Sequence, residues 1–214
     1  MIKRQFAVLG LGKFGFSIAK TLSNAGYEVI AVDRNEDIVQ EIADIVTYAL
    51  KADVTEPGVL KNIGIRNVDA VVVAISENME SSVMATILAK EAGAPYGLSK
   101  AGTELHGQIL KKIGADEIIY PEQAMGARAA KKLISGSFLD LYELSKSFSM
   151  VEVIMPADWA GKSLKELNLR KKGINVIGMI QEDSIELNID PDMPLPANET
   201  LLIVAKNDIL SKIV

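Results

Sequence analysis

A glycine-rich turn near the start of the chain constrains the fold more than any other feature of the sequence. An apolar run at residues 6–9 is typical of a buried parallel strand, and residues 14–22 follow with helical spacing. Between these segments Gly10, Gly12 and Gly15 form the pattern G-x-G-x-x-G. Such glycines allow a tight turn, close approach of a pyrophosphate and close packing of a helix whose free N–H groups point at the phosphates. The pattern predicts a nucleotide-binding βαβ unit.

An acidic residue beyond this turn supports the same prediction. A second predicted strand, residues 28–32, leads to Asp33. This carboxylate lies about 20 residues past the glycines, where a ribose hydroxyl needs an acceptor. Arg34 could accommodate a 2′-phosphate, but the neighbouring acid would repel it, so NADP is disfavoured. The alternative, a glycine turn that only closes a βαβ unit, stays open.

Strand-like and helical segments alternate through residues 1–136. The clearest strand, residues 69–75, is β-branched and apolar on both faces, as in the centre of a parallel sheet. Six βα units of this kind predict an α/β, Rossmann-like parallel sheet with right-handed crossovers. Ligands bind beyond the carboxyl ends of such strands. Four motifs fall at these ends, namely the glycine turn, Asp33, Asp53 and residues 76–78.

The pattern changes after Gly136. Residues 138–144 resemble a linker or a short helix, and Ser163 with Glu166 fits a capping box at the start of a brief helix. Short strands are predicted at residues 151–155, 174–180, 184–187 and 200–205. The predicted organisation is a Rossmann-like domain at 1–136, a linker at 137–148 and a small α+β domain at 149–214. Domains as small as the last are marginal alone and often dimerise.

Composition excludes several classes of function. The net charge of −5 provides no basic field for a nucleic-acid partner. Because the chain contains no cysteine, disulfides, thiol nucleophiles and thiolate metal sites are excluded. We find no signal peptide and no apolar run long enough to span a bilayer, so we expect a cytoplasmic protein that reaches a membrane only through a partner.

A catalytic group is hard to identify. The single histidine, His106, lies on a predicted helix, where packing is a more common role than catalysis. No P-loop, zinc site or triad is present. We therefore predict a protein that binds a nucleotide without acting as an enzyme. A small NAD(P)-dependent oxidoreductase remains the alternative, because Asp33 suits it.

Seven segments carry a resemblance to a known family. They are residues 7–15, 71–78, 100–101, 109–116, 120–126, 160–170 and 173–178. In this order and spacing the chain resembles the regulatory subunits of Ktr/Trk potassium uptake systems. Those subunits combine an RCK (KTN) N-terminal nucleotide domain with an RCK C-terminal domain.

The resemblance implies a cytosolic gating subunit at the inner face of the cell membrane. Its partner would be a membrane-embedded potassium translocation subunit of the KtrB or TrkH type, and its dimers would assemble into an octameric ring. ATP and ADP would compete for the cleft, which can also accept NAD(H). The implied cofactor-binding residues are Gly10, Leu11, Gly12, Lys13, Phe14, Gly15, Asp33, Arg34, Ala52, Asp53, Val54, Ala74, Ile75, Ser76, Asn78 and Lys100.

Two further sites follow from the resemblance. Glu122 corresponds to an acid that helps to hold a divalent cation, Mg²⁺ or Ca²⁺, between ATP-bound subunits. A second messenger, cyclic di-AMP, would bind at the dimer interface of the C-terminal domain. The residues implied there are Arg170, Asn175, Val176 and Ile177.

Overall fold

The computed structural model describes residues 4–76, 78–134, 138–181, 184–197, 199–210 and 212–213. The chain divides into two compact units, Met1–Gln123 and Ala124–Val214. Each unit contains one β-sheet.

The first unit contains a six-stranded sheet in the order β3-β2-β1-β4-β5-β6, and every strand pair is parallel. The strands are β1 (Gln5–Leu9), β2 (Glu28–Asp33), β3 (Tyr48–Lys51), β4 (Ala70–Val73), β5 (Gly97–Lys100) and β6 (Glu117–Ile119). The helices are α1 (Lys13–Asn24), α2 (Glu36–Ala43), α3 (Val59–Ile63), α4 (Met79–Glu91) and α5 (Glu104–Lys112). Helix α6 (Pro121–Ile134) begins in this unit and continues past Gln123 into the second. The predicted Rossmann-like parallel sheet is confirmed.

Both faces of this sheet are covered by apolar packing. Leu9 and Val73 belong to the core on one face, whereas Val8 and Val29 belong to the core on the other. Successive side chains of a strand point to opposite faces, so a strand buried on both must be apolar throughout. The uninterrupted apolar runs in the sequence therefore fix the centre of the sheet.

The second unit contains an antiparallel sheet in the order β10-β9-β11-β8-β7. Its elements are β7 (Phe138–Glu143), β8 (Phe148–Ile154), α7 (Leu164–Leu167), β9 (Ile174–Gln181), β10 (Ser184–Glu186), β11 (Thr200–Lys206) and α8 (Asn207–Leu210). The predicted capping box is confirmed. The Ser163 N–H donates to Glu166 Oε2 at 2.8 Å, and the Glu166 N–H donates to Ser163 Oγ at 3.2 Å.

The prediction of a linker at 137–148 is wrong for its described part. Residues Phe138–Glu143 form β7, which pairs with β8, and the Leu144 N–H closes the turn by donating to the Phe148 carbonyl at 3.0 Å. Leu139, Asp140 and Leu141 alternate with the period of a strand. An edge strand of this kind becomes stable only when a neighbouring strand accepts its backbone hydrogen bonds.

His106 is a buried structural residue of the first unit. It is 2% exposed, and burial lowers its pKa below the ordinary value of 6.5. The Gly102 N–H points at Nδ1 at 3.5 Å, and Nε2 lies 3.1 Å from Ser82 Oγ on α4. Since a backbone N–H can only donate, this contact favours the neutral tautomer in which Nδ1 accepts and Nε2 carries the proton.

We expect the free energy of unfolding to fall as the pH is lowered from about 7.5 to about 5.5. Because the pKa of His106 is lower in the folded state, the unfolded chain binds the proton first, and stability is lost as the pH falls through 6.5. Urea unfolding across this pH range measures the effect. His106→Gln should flatten the profile, whereas an equal slope in the variant would contradict the prediction.

Candidate functional site

The candidate cleft lies at the carboxyl ends of β1, β2 and β4. Strand β1 stands between β2 and β4. Strands β2 and β3 extend the sheet on one side of β1, and β4 to β6 extend it on the other side, so the strand order reverses at β1. Two backbone hydrogen bonds tie the three strand ends together, from Gly10 N–H to the Val32 carbonyl and from Ala74 N–H to the Leu9 carbonyl, both at 2.8 Å. In open α/β sheets this switch point is where ligands bind.

The fold requires two of the three glycines of the turn. Gly10 has φ of +91°, a conformation that favours glycine. A methyl group on Gly15 would overlap the Gly10 carbonyl oxygen and approach the Ala74 Cβ to 2.9 Å. Gly12 has φ of −61°, and a methyl group there would meet no described atom within 4 Å. The fold thus explains Gly10 and Gly15, whereas the open space at Gly12 suits a ligand that approaches the backbone.

The first turn of α1 presents an uncompensated positive end. Gly12 is the N-cap and forms no side-chain cap, and the first turn holds no acidic residue. Lys13 is exposed beside it, whereas Leu11 is buried. Free backbone N–H groups and the helix dipole make such an end a site for anions, phosphates above all.

Asp33 organises the glycine turn as well as facing the cleft. Its Oδ2 accepts the Leu11 N–H at 2.6 Å, and its Oδ1 accepts the Asn35 N–H at 2.8 Å. A carboxylate has about four lone-pair positions, so it can still accept a hydroxyl. Sequence reasoning assigned only the ribose role. An acid after β2 is visible in the sequence, but its backbone partner in the turn is not.

The loop after β3 runs beside Asp33. The Ala52 N–H donates to the Asp33 carbonyl at 3.0 Å, and Val54 is buried. Asp53 Oδ1 accepts the backbone N–H of Thr55 at 2.9 Å and its hydroxyl at 2.6 Å. These hydrogen bonds lower the pKa of Asp53, and the charge of Arg34 adds to the effect. The carboxylate is therefore fixed and ionised at the edge of the cleft.

The residues after β4 form the opposite wall. Ala74 is buried, Ile75 and Ser76 are half-buried, and a methyl group on Gly10 would reach the Ile75 side chain at 2.8 Å. Asn78 is the N-cap of α4 and accepts the Ser81 N–H at 2.9 Å. Glu77 lies outside the described residues.

A lysine at the end of β5 joins the cleft to the start of α6. Lys100 Nζ lies 2.6 Å from Glu122 Oε1 and 5.7 Å from the ring centroid of Phe14 on α1. The Lys100 side chain is 12% exposed, whereas that of Glu122 is 69% exposed. The hydrogen bond from Lys100 lowers the pKa of Glu122. Sequence reasoning gave these two residues separate roles and missed their ion pair.

The remaining predicted residues lie elsewhere. Arg170 belongs to a 3₁₀ helix at Leu169–Lys172, and Asn175, Val176 and Ile177 lie on β9 in the second unit. Val176 is half-buried and the other three are exposed. Within the described chain, no group of three or more Asp, Glu or His side chains could hold a metal ion, and no helix is long and apolar enough to cross a membrane.

Two domain families match the sequence. The TrkA-N domain matches residues 6–121, and the TrkA-C domain matches residues 149–214. The Ktr system potassium uptake protein C of Bacillus subtilis is 45% identical over 179 residues, which cover 83% of this chain and 81% of that protein. The Ktr system potassium uptake protein A of the same organism is 39% identical over 208 residues, which cover 96% and 94%.

Solved structures share the fold at low sequence identity. The GsuK RCK domain has a TM-score of 0.63 at 14% identity, covering 98% of this chain and 46% of that chain. The GsuK channel bound to NAD has a TM-score of 0.62 at 14% identity, with 97% and 38% covered. GsuK bound to ADP has a TM-score of 0.52 at 11% identity, with 64% and 35% covered. This chain spans less than half the length of each of these structures.

Proposed function

The chain belongs to the family of potassium uptake proteins that combine a TrkA-N and a TrkA-C domain, and from this premise we propose that it is a regulatory subunit. It binds an adenine nucleotide in the cleft of the first unit and controls potassium flux through a membrane-embedded partner of the KtrB or TrkH type. The observation that supports nucleotide binding most directly is Gly12, a glycine that the fold itself does not require, at the uncapped end of α1.

Several finer features belong to the same proposal. ATP and ADP compete for the cleft, and NAD(H) is a further ligand, since RCK structures of this fold hold NAD or ADP. The protein acts as an octameric ring at the inner face of the cell membrane. Glu122 helps to hold Mg²⁺ or Ca²⁺ between ATP-bound subunits, and cyclic di-AMP binds near Arg170 and Asn175 of the second unit. A nucleotide gates the pore only as far as it binds two ring shapes unequally.

We expect Gly12→Ala to weaken nucleotide binding without changing the stability of the fold. The added methyl group meets open space, so the unfolding transition should stay at the wild-type position. It would occupy the position where a phosphate approaches the backbone, and nucleotide affinity should fall by at least about tenfold, or about 1.4 kcal/mol. Calorimetric titration with ATP, ADP and NADH measures the loss.

Gly126→Ala on α6 is the matched control, because a methyl group there also meets no described atom within 4 Å. It should leave affinity unchanged and, because alanine is favoured over glycine inside a helix, raise the free energy of unfolding by about 0.5–1 kcal/mol. A wild-type protein that binds neither ATP nor ADP would overturn the proposal. Binding of NADH alone, with NADH oxidation by a carbonyl substrate, would instead favour the oxidoreductase.

Light scattering of the wild type with ATP and with ADP tests whether the octameric ring forms. A monomer under both conditions would contradict the ring.

A further inference from the structure

We propose that Glu122 competes with the nucleotide phosphates for the ammonium group of Lys100. The inference rests on the proposed function and adds a specificity-determining residue to its cleft. Phosphate binding then breaks the Lys100–Glu122 ion pair and leaves the carboxylate free at the start of α6. Glu122 thereby sets how strongly the cleft favours ligands whose phosphates reach Lys100.

The position of Lys100 places its charge beside a side chain from the first turn of α1. Its Nζ lies 5.7 Å from the ring centroid of Phe14, in the first turn of that helix. The same nitrogen lies 2.6 Å from Glu122 Oε1. A phosphate at the N-terminus of α1 and the Glu122 carboxylate are two anions within reach of one flexible cation.

The two side chains of the ion pair differ in how strongly their charges depend on the pairing for stabilisation. The Lys100 side chain is 12% exposed, and a charge so poorly hydrated requires an anionic partner. The Glu122 side chain is 69% exposed and lies in the first turn of the 14-residue helix α6. Its own backbone N–H also helps to lower its pKa. Glu122 therefore stays ionised and hydrated without Lys100, whereas Lys100 can leave Glu122 only for another anion.

The exchange has a consequence beyond the cleft. Glu122 is the second residue of α6, and this helix continues from Pro121 to Ile134, past the division between the units at Gln123 and Ala124. A ligand with more phosphate charge near Lys100 displaces Glu122 more completely. Different nucleotides therefore break the Lys100–Glu122 ion pair to different extents. Glu122 lies on α6, the helix that leads into the second unit.

The test is a double-mutant cycle on the whole chain, with AMP, ADP and ATP titrated in EDTA so that no divalent cation bridges Glu122 to a phosphate. Glu122→Gln removes the competitor and should tighten binding by about threefold to tenfold for ligands whose phosphates reach Lys100. Lys100→Met keeps the apolar stem and should weaken binding. In the Lys100→Met background, Glu122→Gln should have no effect. Glu104→Gln, which removes one charge from the first turn of α5, is the matched control and should leave affinity unchanged.

Whether Glu122→Gln strengthens or weakens nucleotide binding decides whether Glu122 competes with the phosphates for Lys100. If Glu122 instead holds Lys100 in place for the phosphate, the variant binds more weakly, and weaker or unchanged binding overturns the competition. Such a result leaves the proposed function intact as long as the wild type binds ADP or ATP and Gly12→Ala weakens that binding. A wild type that binds none of the three nucleotides overturns both. Thermal unfolding of each variant confirms that the comparison is made between folded proteins.

Discussion

Replacing Gly15 with alanine should destabilise the first unit by about 2–4 kcal/mol and abolish measurable nucleotide binding. The new methyl group would overlap the Gly10 carbonyl oxygen and press on the Ala74 Cβ. Neither contact can be relieved by a rotamer change, because one involves backbone and the other a Cβ atom. Helix α1 would have to move away from β1 and β4, and the phosphate site formed by its first turn would move with it.

Urea unfolding followed by far-ultraviolet circular dichroism measures this loss. The single tryptophan, Trp159, lies in the core of the second unit, so its fluorescence reports that unit and not the site of the change. Gly12→Ala is the internal comparison, since it adds the same methyl group three residues earlier in open space. A Gly15→Ala protein with wild-type stability would show that the close approach of α1 to β1 is not required.

The first unit was predictable because its sequence patterns are local. Apolar runs such as residues 6–9 and 70–75 must be buried on both faces, and this specifies a parallel sheet covered by helices. The glycine turn and Asp33 follow their strands directly, so their place at the carboxyl edge follows from strand order. When the crossovers are right-handed, the glycine turn and Asp33 meet at the switch point beside β1.

Features that depend on contacts distant in sequence were not predictable in the same way. Strand β7 is stable only against β8, and its short alternation at residues 139–141 also suits a linker. The Lys100–Glu122 pair joins the ends of two different βα units. The hydrogen bond from the Leu11 N–H to Asp33 depends on the turn geometry that Gly10 creates. In each case the partner is chosen by tertiary structure and leaves no local pattern.

Replacing Asp33 with asparagine should weaken binding of ADP and ATP by about tenfold to a hundredfold. The two carboxylate oxygens accept N–H groups from Leu11 and Asn35, and an asparagine offers only one oxygen. Its amide NH₂ group would therefore face another donor, which loosens the glycine turn. The variant also loses the charge that strengthens a hydrogen bond from a ribose hydroxyl.

These two contributions can be measured apart with a ligand that lacks the ribose hydroxyls. For 2′,3′-dideoxy-ATP, Asp33→Asn removes only the support of the turn, so the loss of affinity should be clearly smaller than for ATP. Asp37→Asn, an exposed acid in the first turn of α2, controls for the change in net charge and should leave both affinities near wild type. Equal losses for the two ligands would mean that Asp33 acts only through the turn. The acid that follows β2 would then be a structural residue of the phosphate site, and the prediction of a ribose contact would be wrong.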